Sequence, residues 1–324
     1  MLDLLQLVAG LAILLGGGEM MVRGASALAR LLGVSPLVIG LTVVAFGTSA
    51  PELAVNGLAA FQNNAELSFG NIIGSNIANI ALILGCMALV RPLDIESSVV
   101  SREIPMMLLA TAAVLVLGTD RIRGSAEGYD RYDALILLLF FSVFLYYTLA
   151  EVLRRRTTDP LFTQARQLGH PTRLKSVVGS LLLMAGGLAA LSGGAQITVN
   201  AAVSLAEALE VPSVLVGLTL VAFGTSLPEL ATSLVAVRRG QVELAVGNVV
   251  GSNLFNLLVV LAVTALLRPI PLPAGGHFDL GVMALLSVAL LLVSHSHGRR
   301  IVRVEAALLL TIYVSYILRR VAIS

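Results

Sequence analysis

Apolar stretches of about 20 residues, the length of a helix that crosses a bilayer, alternate along this chain with short polar interruptions. Ten such tracts are read, centred near Leu11, Glu52, Ile80, Leu109, Leu139, Leu188, Glu229, Val259, Ala289 and Leu310. The pattern predicts an all-α polytopic membrane protein with ten transmembrane helices. Asp3 stands where a signal peptide would carry basic residues, so the first tract is expected to be a span. Two tracts are centred on a carboxylate, Glu52 and Glu229.

The longest polar connection, RRRTTDPLFTQARQLGHPTRLK (154–175), separates five tracts from five. It is expected to be a linker between a first repeat, 1–153, and a second, 176–324. One gap-free offset of 177 positions relates them. GLTVVAFGTSAPELA (40–54) meets GLTLVAFGTSLPELA (217–231), with thirteen of fifteen residues identical, and GNIIGSNIAN (70–79) meets GNVVGSNLFN (247–256). The repeated motifs thus run over 40–79 and 217–256. An odd number of spans per repeat predicts that the second copy enters the membrane from the opposite side, as two inverted five-helix repeats.

Composition agrees with lipid as the main solvent: 57% of residues are hydrophobic and 12% charged, about half the charged fraction of a soluble domain. The net charge of +2, with Lys175 the only lysine, excludes a nucleic-acid footprint. The single cysteine, Cys86, excludes a disulfide framework. Basic residues set the expected orientation. With the 154–175 linker cytoplasmic, Arg23, Arg30, Arg91, Arg102, Arg238, Arg239, Arg299, Arg300 and Arg303 fall inside. Arg121, Arg123, Arg131, Arg268, Arg319 and Arg320 fall outside. Both termini are then outside a cell (inner or plasma) membrane, although the Arg121–Arg131 loop opposes this locally.

An ionised carboxylate at mid-bilayer costs about 2.5–3.5 kcal/mol on insertion scales and requires a partner. No lysine or arginine lies within a span to serve Glu52 or Glu229. The partner is therefore expected to be a bound cation or proton. Thr48, Ser49 and Glu52 share a helical face, as do Thr225, Ser226 and Glu229. Pro51 and Pro228 each remove a helix hydrogen bond and free backbone carbonyls, which membrane-buried backbone tolerates only inside protein or beside a polar cavity. Ser75 with Asn79, and Ser252 with Asn256, add hydroxyl and amide oxygen at i,i+4 spacing. Hard oxygen donors suit Ca²⁺ and Na⁺, and no His or Cys for a softer metal lies in the repeated motifs, 40–79 and 217–256.

GTSAPEL with GSNIAN, repeated as GTSLPEL with GSNLFN, resembles the two α-repeats of the calcium/cation antiporter superfamily, in its sodium/calcium exchanger branch of prokaryotic type. The Asn-Ala-Thr-Glu type motif of the proton-coupled members is missing. The resemblance implies a secondary antiporter exchanging Na⁺ for Ca²⁺ by alternating access, with no cofactor. It implies Ca²⁺ ligation by Glu52 and Glu229 with the carbonyls of Thr48 and Thr225. It implies Na⁺ sites from Ser49, Ser75, Ser226, Ser252, the threonine hydroxyls and the carbonyls of Ala45 and Ala222, with Asn79 and Asn256 completing the centre.

Other readings stay beside this one: a proton-coupled or K⁺-dependent cation antiporter, a calcium channel, or a membrane hydrolase using two carboxylates as acid and base. No GxSxG elbow supports the hydrolase. The pairs Gly70/Gly74 and Gly247/Gly251 are assigned to helix packing. His295 and His297 are assigned to an interfacial cap, Cys86 to packing and Arg154–Arg156 to topology. Gly16-Gly17-Gly18 and Gly193-Gly194, at matching positions in spans one and six, suit either a moving pair of helices or simple packing.

Overall fold

The computed structural model describes residues 2–62, 65–119, 127–158, 171–208 and 222–323. Residues 159–170 of the predicted linker, Arg121 and Arg123 of the predicted outer loop, and 217–221 at the start of the second motif lie outside these.

Helix α1 (Leu2–Leu32) ends beside Gly33, whose φ of 64° provides a left-handed stop. The second span is broken. It comprises α2 (Pro36–Ile39), a π-helical turn (Gly40–Val44), α3 (Ala45–Thr48) and α4 (Ala50–Phe61). The third contains α5 (Ala65–Ile77), a π-turn (Ala78–Ile83) and α6 (Leu84–Val90). After strand β1 (Leu93–Asp94), a π-turn (Val99–Glu103) leads into α7 (Ile104–Thr119); β2 (Gly128–Tyr129) and α8 (Arg131–Thr158) follow.

The second half opens with α9 (Pro171–Ala208). Then come α10 (Ala222–Thr225), α11 (Leu227–Arg238), α12 (Val242–Phe255), a π-turn (Asn256–Val260) and α13 (Leu261–Leu267). The chain ends with β3 (Ile270–Pro271), α14 (Gly276–His295), β4 (Arg300–Ile301) and α15 (Arg303–Ile323).

Helical structure extends into the predicted linker: α8 continues through Arg154–Arg156 to Thr158, and α9 begins at Pro171. No helix breaker precedes Pro160, and a proline is well suited to the first helical position.

Eight helical stretches among the described residues are long and apolar enough to cross a membrane. The two that carry the GSN motifs, Leu67–Val90 and Val242–Leu267, are 78% and 83% buried, so they form the centre; Arg131–Ala150 and Ser176–Ala206, each 28% buried, lie at the periphery. Leu139, Leu182, Leu292 and Leu318 stay largely exposed on their helices. In water such a surface would aggregate; here it is the lipid-facing one.

Helices α1 and α9 pack backbone to backbone along a seam of small residues spaced by seven. A Cβ added to Gly17 would lie 2.8 Å from the Leu191 nitrogen and 2.9 Å from the Gly187 oxygen; one on Gly194 would lie 2.8 Å from the Leu14 nitrogen and 3.0 Å from the Gly10 oxygen. Gly16 and Gly193, by contrast, are exposed and meet no described residue within 4 Å. Packing therefore selects Gly17 and Gly194 from the glycine runs. Gly247 and Gly251 also pack as expected, against the backbone of Leu37 and Leu41; Gly70 and Gly74 meet no described residue within 4 Å.

Candidate cation site

The helix break falls at Ser49, where φ −87° and ψ 2° separate α3 from α4, and again at Ser226, with φ −89° and ψ 1°. Pro51 and Pro228 follow two residues later, where the missing N–H and the ring prevent a continuous helix. Each break directs hydroxyls and a carboxylate into the protein centre. Thr48, Ser49, Glu52, Ser75, Asn79, Ser226, Glu229, Ser252 and Asn256 are all buried there, and Thr225 is half-buried.

Contacts between the halves are reciprocal. Thr48 donates its hydroxyl proton to Asn248 Oδ1 at 3.1 Å, and its counterpart Thr225 donates to Asn71 Oδ1 at 3.0 Å. Asn71 and Asn248 are themselves separated by the 177-residue offset. Ser226 lies 3.4 Å from Ser75, and Thr48 lies 3.5 Å from Ser252. Ser49 donates to Glu229 Oε1 at 3.3 Å, so this hydroxyl serves the carboxylate of the other half rather than Glu52 on its own helix. Asn79 donates to Asn253 Oδ1 at 2.9 Å.

The Ala45 carbonyl accepts from the Ser49 N–H at 3.0 Å and from the Thr48 hydroxyl at 3.4 Å. Ala222 opens α10, the matching short helix.

Oxygen remains in excess at the centre. Both carboxylate oxygens of Glu52, Oε2 of Glu229, and Oδ1 of Asn56, Asn79 and Asn256 are buried with no hydrogen-bond partner among the described residues. Buried polar atoms are otherwise nearly always satisfied. The amide nitrogens of Asn71 and Asn256 are unpartnered as well, but two donors do not serve six acceptor oxygens that include two carboxylate groups, so the cluster lacks positive charge. Its chemistry fits a hard cation.

Sequence reasoning missed part of this frame: Asn56, Asn71, Asn76, Asn248 and Asn253 are buried beside the predicted residues. Asn248 passes its amide proton to Ser233 at 3.0 Å, and Asn56 donates to the Glu52 carbonyl at 2.6 Å. The signal was present for four of them, since Asn71/Asn248 and Asn76/Asn253 recur at the repeat offset. The π-turns were not predicted. Two of the four described lie at the candidate asparagines, Ala78–Ile83 around Asn79 and Asn256–Val260 starting at Asn256, and π-bulges commonly mark functional sites.

A cleft of about 550 Å³ reaches Thr225 and Pro228 along one face of α9, marked by Ser192, Gln196, Asn200 and Ser204 at four-residue spacing. Thr48, the counterpart of Thr225, is fully buried.

A multi-pass helical bundle with two matched helix breaks around buried acidic and amide oxygen defines an integral membrane protein built for cations. The chain belongs to the sodium/calcium exchanger protein family, which it matches over residues 2–150 and again over 179–322. It is 39% identical to CaxA of Alkalimonas amylolytica over 95% of each chain. To the sodium/calcium exchanger MaX1 of Methanosarcina acetivorans it is 32% identical over 97% of each. A solved structure of the sodium-calcium exchanger NCX_Mj shares its fold with a TM-score of 0.82 and 33% identity, covering 98% of both chains. These relatives are transporters, and the chain is a transporter rather than the hydrolase weighed above.

Proposed function

We propose that this protein exchanges Na⁺ for Ca²⁺ across the membrane by alternating access at one central site. The observation that carries the reading is the pair Glu52 and Glu229, both buried and without a basic partner among the described residues, within reciprocal hydroxyl and amide contacts. Two facing carboxylates balance one Ca²⁺. Desolvating them without a cation is expensive, which restrains the empty carrier from crossing and so couples the two fluxes. The names of the matched family and of MaX1 and NCX_Mj support the same ions. Glu52, Glu229 and the carbonyls of Thr48 and Thr225 hold Ca²⁺. Na⁺ uses the serines, the threonine hydroxyls, the carbonyls of Ala45 and Ala222, Asn79 and Asn256.

Ten spans in two inverted repeats fit the strand pairing. β1 pairs with β4, and β2 with β3, so each pair of connections lies on one membrane face. An even number of crossings must then separate the paired strands. The eight apolar stretches place five between β1 and β4, and three between β2 and β3. One more crossing, the segment holding α10 and α11, makes both counts even. With α15 the total is ten. The arginine distribution places both termini outside and the α9 cleft on the outer face.

Both amides at the centre, Asn79 and Asn256, are neutral, so no further cation is required to balance the calcium-loaded site. Proteoliposomes tested with separately imposed Na⁺, K⁺ and H⁺ gradients at clamped voltage are expected to move Ca²⁺ against the Na⁺ gradient alone, at equal rates in choline and K⁺ media. Asn256→Asp is expected to make the flux pH-dependent, since an added carboxylate at this depth must gain a cation or keep its proton. An absolute requirement for K⁺ would refute the charge argument, and Ca²⁺ flux indifferent to Na⁺ would refute the assignment.

A further inference from the structure

The repeat offset relates the open cleft beside α9 to a second place in the protein, between α1 and α11, and the two differ in charge and packing. Gln196 and Asn200, exposed in the open cleft, correspond to Glu19 and Arg23 on α1, while exposed Gln62 corresponds to Arg239 at the end of α11. At the neutral set, Gln196 donates to Asn200 at 2.8 Å on its own helix. At the charged set, Arg239 grips Glu19 with two nitrogens, its Nε 2.6 Å from Oε2 and its terminal nitrogen on Oε1, while Arg23 Nε adds a third contact at 2.7 Å. A forked arginine–carboxylate pair fixes geometry as well as charge. It ties α1 to α11 across 220 positions of sequence.

We propose that the Glu19–Arg239 pair, braced by Arg23, is a latch that holds shut a second, latent passage between α1 and α11. The latch biases the carrier toward the state open beside α9. The proposal rests on the alternating-access reading given above.

The latent passage is packed in the present state. Val22 and Ala25 are buried where their counterparts Val199 and Ala202 are half-buried, and Thr48 is buried where Thr225 is not. At two positions, however, its lining is more polar than that of the open cleft. Ser26 and Thr232 have buried hydroxyls with no hydrogen-bond partner among the described residues. Their counterparts at the offset, Val203 and Val55, both line the open cleft. A buried hydroxyl left without a partner favours any state in which water reaches it. Ser26 and Thr232 therefore pull the passage toward opening, and the ion pair at its mouth opposes them. The neutral counterpart set carries no such restraint.

The test uses the full-length protein in proteoliposomes with Cys86→Ala as background. Single cysteines at Ser26→Cys and Val203→Cys are reacted with a charged, membrane-impermeant thiol reagent applied to one face at a time. Without further change, Val203→Cys should react readily from its own face, and Ser26→Cys slowly from the opposite one. Adding Glu19→Gln with Arg239→Gln should raise the Ser26→Cys rate about tenfold or more and lower that of Val203→Cys. The charge exchange Glu19→Arg with Arg239→Glu should restore slow labelling, which separates loss of the pair from general loosening.

Labelling of the two cysteines from opposite faces, with rates unmoved by removal of the pair, would overturn the latch and leave alternating access standing. Labelling of both from the same face would overturn both. If the doubly neutral protein is not recovered folded, Arg239→Lys serves instead. It keeps the charge but loses the fork, and its Ser26→Cys rate should fall between the two; a rate at or below that of the parent contradicts the proposal.

Discussion

Glu52→Gln and Glu229→Gln are each expected to abolish Ca²⁺ exchange while leaving a folded, membrane-inserted protein. Each carboxylate is buried without a basic partner among the described residues. Its neutralisation therefore removes attraction for a cation without stranding an arginine. Loss of an outer partner of a metal ligand already costs about 10–100-fold in affinity, so removal of the anionic ligand should cost at least about 100-fold in exchange rate at limiting Ca²⁺. Stability should hold or rise, because a neutral amide is cheaper to bury than an unpaired carboxylate. Flux in proteoliposomes and thermal unfolding in detergent check the two halves of this prediction. Wild-type exchange by either variant would remove the site assignment.

The second large effect concerns two adjacent glycines of α1. Gly17→Leu places a side chain where a Cβ alone would sit 2.8 Å from the Leu191 nitrogen, so α1 and α9 must separate. Overpacking of this kind costs about 1–3 kcal/mol, occasionally more. Gly16→Leu, at an exposed position with no described residue within 4 Å, should stay within about 0.5 kcal/mol. The comparison is the midpoint of thermal unfolding, read with the fraction of protein recovered as a single species. Equal destabilisation by both would show that the backbone seam does not join these helices.

That contrast also marks how far the sequence alone reaches. Its glycine runs point to close helix approach, but only the crossing of α1 and α9 decides that Gly17 and Gly194 face the seam while Gly16 and Gly193 face outward. The helix breaks were legible because Pro51 and Pro228 act locally, and the carboxylates because an apolar tract makes a lone Glu conspicuous. The asparagine frame was harder to read. An amide in a span is compatible with simple packing, and the bond from Thr48 to Asn248 closes over 200 positions. The same distance problem hides Glu19–Arg239, since each residue alone reads as an ordinary interfacial charge. The π-turns at Asn79 and Asn256 have no periodic signature: apolar residues continue through both, and the extra residue per turn appears only in the backbone.

Equilibrium binding of radiolabelled Ca²⁺ to the purified protein, titrated with Na⁺ at constant ionic strength, tests the shared central site most directly. Complete displacement is predicted, steeper than for one Na⁺ per Ca²⁺ because several oxygen clusters around Glu52 and Glu229 are available to the smaller charge. Ca²⁺ binding should be lost in Glu52→Gln and in Glu229→Gln. Ca²⁺ that remains bound at saturating Na⁺, or binds undiminished to either variant, would contradict it.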